Sequence, residues 1–125
     1  MKFTTAGIIL FTENYEQCVA FYGTTLGLET LHAIDREGEK LTTFSLGGAY
    51  LMVETGGTAS RSAKCVSENP TKLRFNVADV TATARDLGRK GVDVRVAVHD
   101  WGTTAEFTDP DGNLCALRSD AGFGE

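Results

Sequence analysis

Residues 6–28 read AGIILFTENYEQCVAFYGTTLGL, and this stretch decides the fold. Its first part, Ala6 to Thr12, is a short apolar, β-branched run that predicts a strand. Asn14 then stands where a helix N-cap belongs, with Gln17 three residues on completing a capping-box pattern. Tyr15, Cys18, Val19, Tyr22 and Leu26 recur at i, i+3, i+4, i+7 and i+11, the apolar stripe of an α-helix. Gly27 ends it, because the C′ position favours a residue that tolerates positive φ. Short strands are expected beyond it around residues 28–34, 41–46 and 49–54, with Gly47-Gly48 turning the last hairpin.

The second half of the chain repeats this order. Leu73 to Val77 alternates as a strand, Asp79 is an N-cap, and Val80, Ala84 and Leu87 form a helical stripe that Gly91 ends. Strands are expected near 92–98, 103–108 and 113–118, the last two joined by the turn sequence Asp109-Pro110-Asp111-Gly112. The economical reading is an α+β fold of two tandem βαβββ modules, about 5–55 and 72–119. A Gly-, Ser-, Thr- and Ala-rich linker over about 55–71 joins them. No Gly-rich phosphate loop follows either first strand, which argues against a dinucleotide or P-loop site.

At 125 residues the chain fits one domain, residues 1–125. The formal charge of −5 and the lack of a Lys/Arg run argue against a nucleic acid or an anionic membrane as partner. No apolar run approaches the ~20 residues that span a bilayer. The start, Met-Lys-Phe-Thr-Thr-Ala-Gly, lacks the apolar segment of a secretory signal, so a cytoplasmic protein is expected. Cys18, Cys65 and Cys115 match neither a zinc site nor a disulfide framework. Cys18 and Cys115 are expected in the core and Cys65 at the surface, and no catalytic residue is assigned.

Several motifs resemble one family. Glu13 to Tyr22 followed by Leu26-Gly27-Leu28 is similar to a family helix that ends in Phe-Tyr and then Leu-Gly-Leu. Phe107-Thr108-Asp109-Pro110-Asp111-Gly112-Asn113 matches its closing hairpin, and Val77-Ala78-Asp79-Val80 with Gly91-Val92-Asp93-Val94 fit the borders of its second helix. Over residues 6–118 the chain resembles the vicinal oxygen chelate superfamily, the glyoxalase, bleomycin-resistance and extradiol dioxygenase fold. The resemblance implies a curved, open mixed sheet around a concave cavity, and commonly a two-fold dimer. Sheet edges left unpaired by such a fold also favour a homodimer.

Metal-dependent members place ligands on the first and last strand of each module. Carried over residue by residue, those places hold Gly7, Glu54, Lys72 and Ala116. Only Glu54 is a competent ligand, since glycine and alanine have no donor and an ammonium has no lone pair. His32 and His99 fall on no ligand place and are expected at the surface or at a strand end. The resemblance therefore implies a member without metal or other cofactor.

Period-2 alternation then assigns the cavity lining. If position 72 faces inward, Lys72, Arg74 and Asn76 do so together, while Leu73, Phe75 and Val77 pack on a helix. Tyr50, Met52 and Glu54 are likewise inward, as are Leu114, Ala116 and Arg118, and Thr104, Glu106 and Thr108. Tyr50, Glu54, Lys72, Arg74, Trp101, Glu106 and Arg118 are the candidate ligand-binding residues, with Arg74 expected to reach Glu54 or Glu106, or to hold an anion. Mixed basic, acidic and aromatic groups suit a small anionic or zwitterionic organic molecule, such as an antibiotic that is sequestered without reaction. The alternative is a glyoxalase-type lyase, isomerase or dioxygenase, akin to lactoylglutathione lyase, which requires ligands the sequence does not supply.

Overall fold

Each half of the chain builds a strand, a helix and three further strands. A computed structural model describes residues 1–124 and divides them into two units, Met1–Ala59 and one that begins at Ser60. The first contains β1 (Gly7–Thr12), α1 (Tyr15–Ala20), a π-helical turn (Phe21–Thr25), β2 (Thr30–Arg36), β3 (Glu39–Ser45) and β4 (Tyr50–Thr55). Its sheet runs β1-β4-β3-β2, with β1 parallel to β4 and the other pairs antiparallel. The second unit contains β5 (Leu73–Val77), α2 (Val80–Arg89), β6 (Arg95–His99), β7 (Gly102–Thr108) and β8 (Leu114–Ser119). Its sheet runs β5-β8-β7-β6, with β5 parallel to β8, so the two units share one α+β topology.

Helix α1 departs from expectation at both ends. Asn14 makes no side-chain cap hydrogen bond, so the capping box with Gln17 is not formed at that end. At the other end, Leu26 N–H donates to the Phe21 carbonyl at 2.8 Å, a π-type bond that widens the last turn. Phe21, three residues after Cys18 and so on the same helix face, joins Tyr22 in the core, where the expected stripe held Tyr22 alone. The two rings meet edge to face at 5.2 Å. Gly27 follows with φ of 74°, as the helix stop requires. Cys18, Tyr22, Phe44, Leu51 and Val53 are fully buried, and full burial stabilises by about 1.5–3 kcal/mol for each large apolar side chain.

In the second unit Asp79 caps α2 by accepting from Ala82 N–H at 3.0 Å. Val80, Ala84 and Leu87 bury the predicted stripe, and α2 packs on β6, β7 and β8. The Asp109–Asn113 turn is internal rather than exposed. Asp109 Oδ1 accepts from the N–H groups of Asp111 and Asn113, both at 2.9 Å, and Gly112 takes φ of 85°. Residues of the expected linker lie across this turn. Ser60 N–H donates to Asp111 O and Lys64 N–H to Gly112 O, each at 2.9 Å. Lys64 Nζ and Asn69 Nδ2 donate to Asn113 Oδ1 at 2.9 and 3.0 Å. A Cβ on Gly112 would come within 2.6 Å of Ser62 O, so only glycine lets the strap lie this close. Its composition suggested a spacer; its backbone and side chains are structural partners of the turn.

Candidate functional site

Strand register in the second unit sorts the side chains onto two faces. Arg74 lies opposite Ala116, which lies opposite Glu106; Asn76 lies opposite Arg118, which lies opposite Thr104. These residues share one face. Leu73, Phe75 and Val77, half-buried in alternation with exposed Arg74 and Asn76, share the other with Cys115, Leu117, Ala105 and Phe107. The apolar set packs under α2, leaving the charged set on the opposite side.

Arg118 is the centre of that charged face. It is only 6% exposed. Its guanidinium donates to the backbone carbonyls of Ser119 and of Trp101, the latter at 3.2 Å. It also lies 5.3 Å from the Trp101 ring centre and 4.9 Å from that of Phe123. Arg74 approaches the same Phe123 ring at 5.6 Å. Behind Trp101, His99 stacks at 4.5 Å with the planes 2° apart, and its Nε2 meets Thr104 Oγ1 at 2.9 Å. Among the described residues no carboxylate forms an ion pair with Arg74 or Arg118. Arginine stays charged when buried, so a desolvated guanidinium that meets carbonyls and rings among the described residues retains a charge that an anion would complete.

The expected pairing of Arg74 with Glu106 is not made. Lys72 takes that carboxylate, at 3.2 Å to Oε1 and 3.1 Å to Oε2. Both partners are well exposed, so this pair contributes about 0–1 kcal/mol. Five of the seven candidate residues, Lys72, Arg74, Trp101, Glu106 and Arg118, thus belong to the second unit. Tyr50 and Glu54 belong to the first, on the face of β4 that also carries Met52. Glu54 is half-buried, opposite Phe11 on β1 and Leu41 on β3.

Two members of the Arg118 cluster were missed in the sequence. His99 was expected as a strand-end histidine, and its spacing of two from Trp101 was the only available signal. Phe123 lies beyond the repeat, in a segment to which no pattern assigned a partner. Open depressions elsewhere have charged rims: one of about 510 Å³ at the β2–β3 hairpin, including Asp35, Arg36 and Lys40, and one of about 290 Å³ beside Glu106, including Asp93 and Arg95. Neither includes Arg118.

The places where relatives hold a metal do not fit one here. The Tyr50 ring covers Gly7, Lys72 is engaged by Glu106, and Ala116 has no donor. Among the described residues no group of three or more His, Cys, Asp or Glu side chains is arranged to hold an ion. The thiols are dispersed, with Cys18 and Cys115 buried and Cys65 exposed. No helix among the described residues is long and apolar enough to cross a membrane.

Comparison with known proteins accords with this geometry. The family model described as Glyoxalase/Bleomycin resistance protein/Dioxygenase superfamily matches residues 4–117. The uncharacterized protein YraH of Bacillus subtilis (strain 168) is 33% identical over 121 residues, which is 88% of this chain and 93% of that protein. Among solved structures, TnmS3, an antibiotic binding protein from Streptomyces sp. CB03234, superposes with a TM-score of 0.71 at 21% identity, over 95% of this chain and 98% of its own. Lactoylglutathione lyase from Agrobacterium tumefaciens also gives 0.71, at 18% identity and 96% coverage of each chain. At such identities the superpositions establish the fold alone.

Proposed function

This chain belongs to the glyoxalase/bleomycin resistance protein/dioxygenase superfamily, and from that premise we propose that it binds a small organic anion without metal-dependent chemistry. The observation that carries the reading is Arg118: a buried guanidinium with no carboxylate partner among the described residues, framed by aromatic rings on the face that also presents Arg74. A carboxylate or sulfonate on the ligand would pair with it through charge-assisted hydrogen bonds, and Trp101 would supply apolar contact. Glu106, on the same face and paired with Lys72, offers a second polar contact of either sign. The structural likeness to an antibiotic-binding protein supports sequestration as the use of such a site. Metal-dependent lyase or dioxygenase chemistry needs a ligand set that Gly7, Lys72 and Ala116 do not supply.

Within the first module, Tyr50 and Glu54 share one face of β4 and are proposed as ligand contacts of that module, and we place the protein in the cytoplasm as a homodimer. Support for the dimer comes from β1, an edge strand of its sheet with Ile8, Ile9 and Phe11 each close to half exposed.

The test is calorimetric titration of the full chain with a panel of organic carboxylates and sulfonates, beside Arg118→Lys. Lysine keeps the charge and loses the planar fork, so binding should weaken at least tenfold while the fold persists. Equal binding by the two proteins, or no binding by the wild type, would remove Arg118 as the anion site.

A further inference from the structure

We infer that the anion bound at Arg118 carries a planar aromatic ring, and that Phe123 occupies the place which that ring takes. The inference rests on reading Arg118 as the anion site and adds the chemical class of the ligand. One ring, that of Phe123, is shared by two guanidinium groups on neighbouring strands, at 4.9 Å from Arg118 on β8 and 5.6 Å from Arg74 on β5. Two cations that form no ion pair with a carboxylate among the described residues lie over one ring, a place that favours aromatic electrons over a saturated group of the same size.

Phe123 is weakly held there. It rides on a turn anchored by Asp120 N–H to Val77 O at 2.9 Å and Phe123 N–H to Asp120 O at 3.1 Å. Gly122, at φ of 79°, gives this turn its bend, and residues 120–124 bury little. Trp101, equally exposed at 53%, is held by more contacts: His99 stacks on its ring and its carbonyl receives Arg118. The cluster therefore consists of one anchored ring, one buried cation and one displaceable ring. An aryl carboxylate could replace the displaceable ring and at the same time supply the negative charge that Arg118 and Arg74 lack. Phenylalanine supplies the first and not the second, so the ligand has the advantage in the exchange.

Trp101 is the single tryptophan of the chain, so its fluorescence reports on this cluster directly. The experiment compares 2-naphthoate with cyclohexanecarboxylate on the full chain, for the wild type, Phe123→Ala and Arg118→Lys. The expected result is at least tenfold tighter binding of naphthoate than of the saturated acid, with loss in Arg118→Lys. Phe123→Ala, which removes the competing ring, should tighten naphthoate severalfold with the melting temperature unchanged. Weaker naphthoate binding by Phe123→Ala would overturn the inference and make Phe123 a wall of the site. Equal, Arg118-dependent binding of both acids would overturn the ring preference while the anion reading stands. Absence of binding by either acid to both wild type and Phe123→Ala would sink the two together.

Discussion

The ring of Tyr50 lies directly over Gly7: a Cβ built on Gly7 would come 2.3 Å from a Tyr50 ring carbon. The two residues are partners in the parallel pairing of β1 with β4, so the ring crosses the first strand where that strand has no side chain. A position that serves relatives as a ligand place is thus given over to packing. Gly7→Ala should destabilise the protein by about 1–3 kcal/mol, the usual result of overfilling a packed contact. In a Tyr50→Ala background the same change should cost less than about 0.5 kcal/mol, because the clashing ring is gone. Urea denaturation of the four proteins of this cycle checks the prediction. Additive effects would show that the ring swings aside freely and that Gly7 is not held by it.

Asn113 joins three parts of the second unit. Its Nδ2 donates to Asp109 Oδ2 at 2.9 Å, while its Oδ1 accepts from Lys64 and Asn69 of the strap. At 4% exposure, water cannot readily replace these bonds. Asn113→Ala should therefore cost about 1–3 kcal/mol, the penalty for leaving buried partners unmade. Lys64→Met, which removes one donor from the more exposed side, should cost less. Hydrogen exchange offers a second readout: Lys64 N–H and Ser60 N–H should lose protection in Asn113→Ala if the side chain holds the strap in place.

What could be read from the sequence divides along the range of the interactions. Repeating strands, the α2 cap at Asp79 and the glycine stops at Gly27 and Gly91 are local, and alternation or helical spacing reports them faithfully. The face of β5 also followed from alternation, because Leu73, Phe75 and Val77 leave Arg74 and Asn76 no other side. The π turn after α1 was not legible, since a single shifted bond leaves no mark on composition. Nor was the role of residues 60–69, where the polar groups that suggested a linker are the ones that bond to the turn. Site chemistry failed where it depended on choice among partners: Glu106 had Arg74 on β5 and Lys72 just before it, and the strand pattern does not say which it takes. Phe123 meets Arg118 from outside the repeat, so no periodicity could place it.

Cys65 and Glu68 give a pH-dependent local contact. The Cys65 thiol donates to Glu68 Oε1 at 3.0 Å and the Cys65 amide to the same oxygen at 3.1 Å. These two bonds, the thiol first, hold the Glu68 carboxyl below its ordinary value of 4.5. A carboxylate so depressed stabilises the folded chain above its unfolded pKa, and that contribution is lost as pH falls through the lower folded value. The turn should consequently be intact near neutrality and loosen only in acid. NMR titration should show Glu68 rising toward 4.5 in Cys65→Ala, which keeps the amide bond and removes the thiol. An unchanged Glu68 titration in that variant would assign the shift to the amide alone.

The edge of the first sheet bears on assembly. Strand β1 is hydrogen-bonded only to β4 within its sheet, and Ile9 and Phe11 on it are 49% and 50% exposed. An apolar edge strand of this kind invites pairing with another chain, a hazard that proteins normally blunt with charge or cover with structure. Here β1 carries no charged residue between Gly7 and Thr12. A second copy covering the edge would bury these side chains, and a two-fold arrangement is the commonest closed solution. The wild type should sediment as a dimer at tens of micromolar. Ile9→Glu should shift it to the monomer, because an unpaired carboxylate would be forced into the interface. If Ile9 faced only solvent, the same substitution would change stability by no more than about 0.5 kcal/mol and the mass not at all. Far-UV circular dichroism of the variant separates dissociation from unfolding, and a monomeric wild type would leave the apolar edge as an open surface of a single chain.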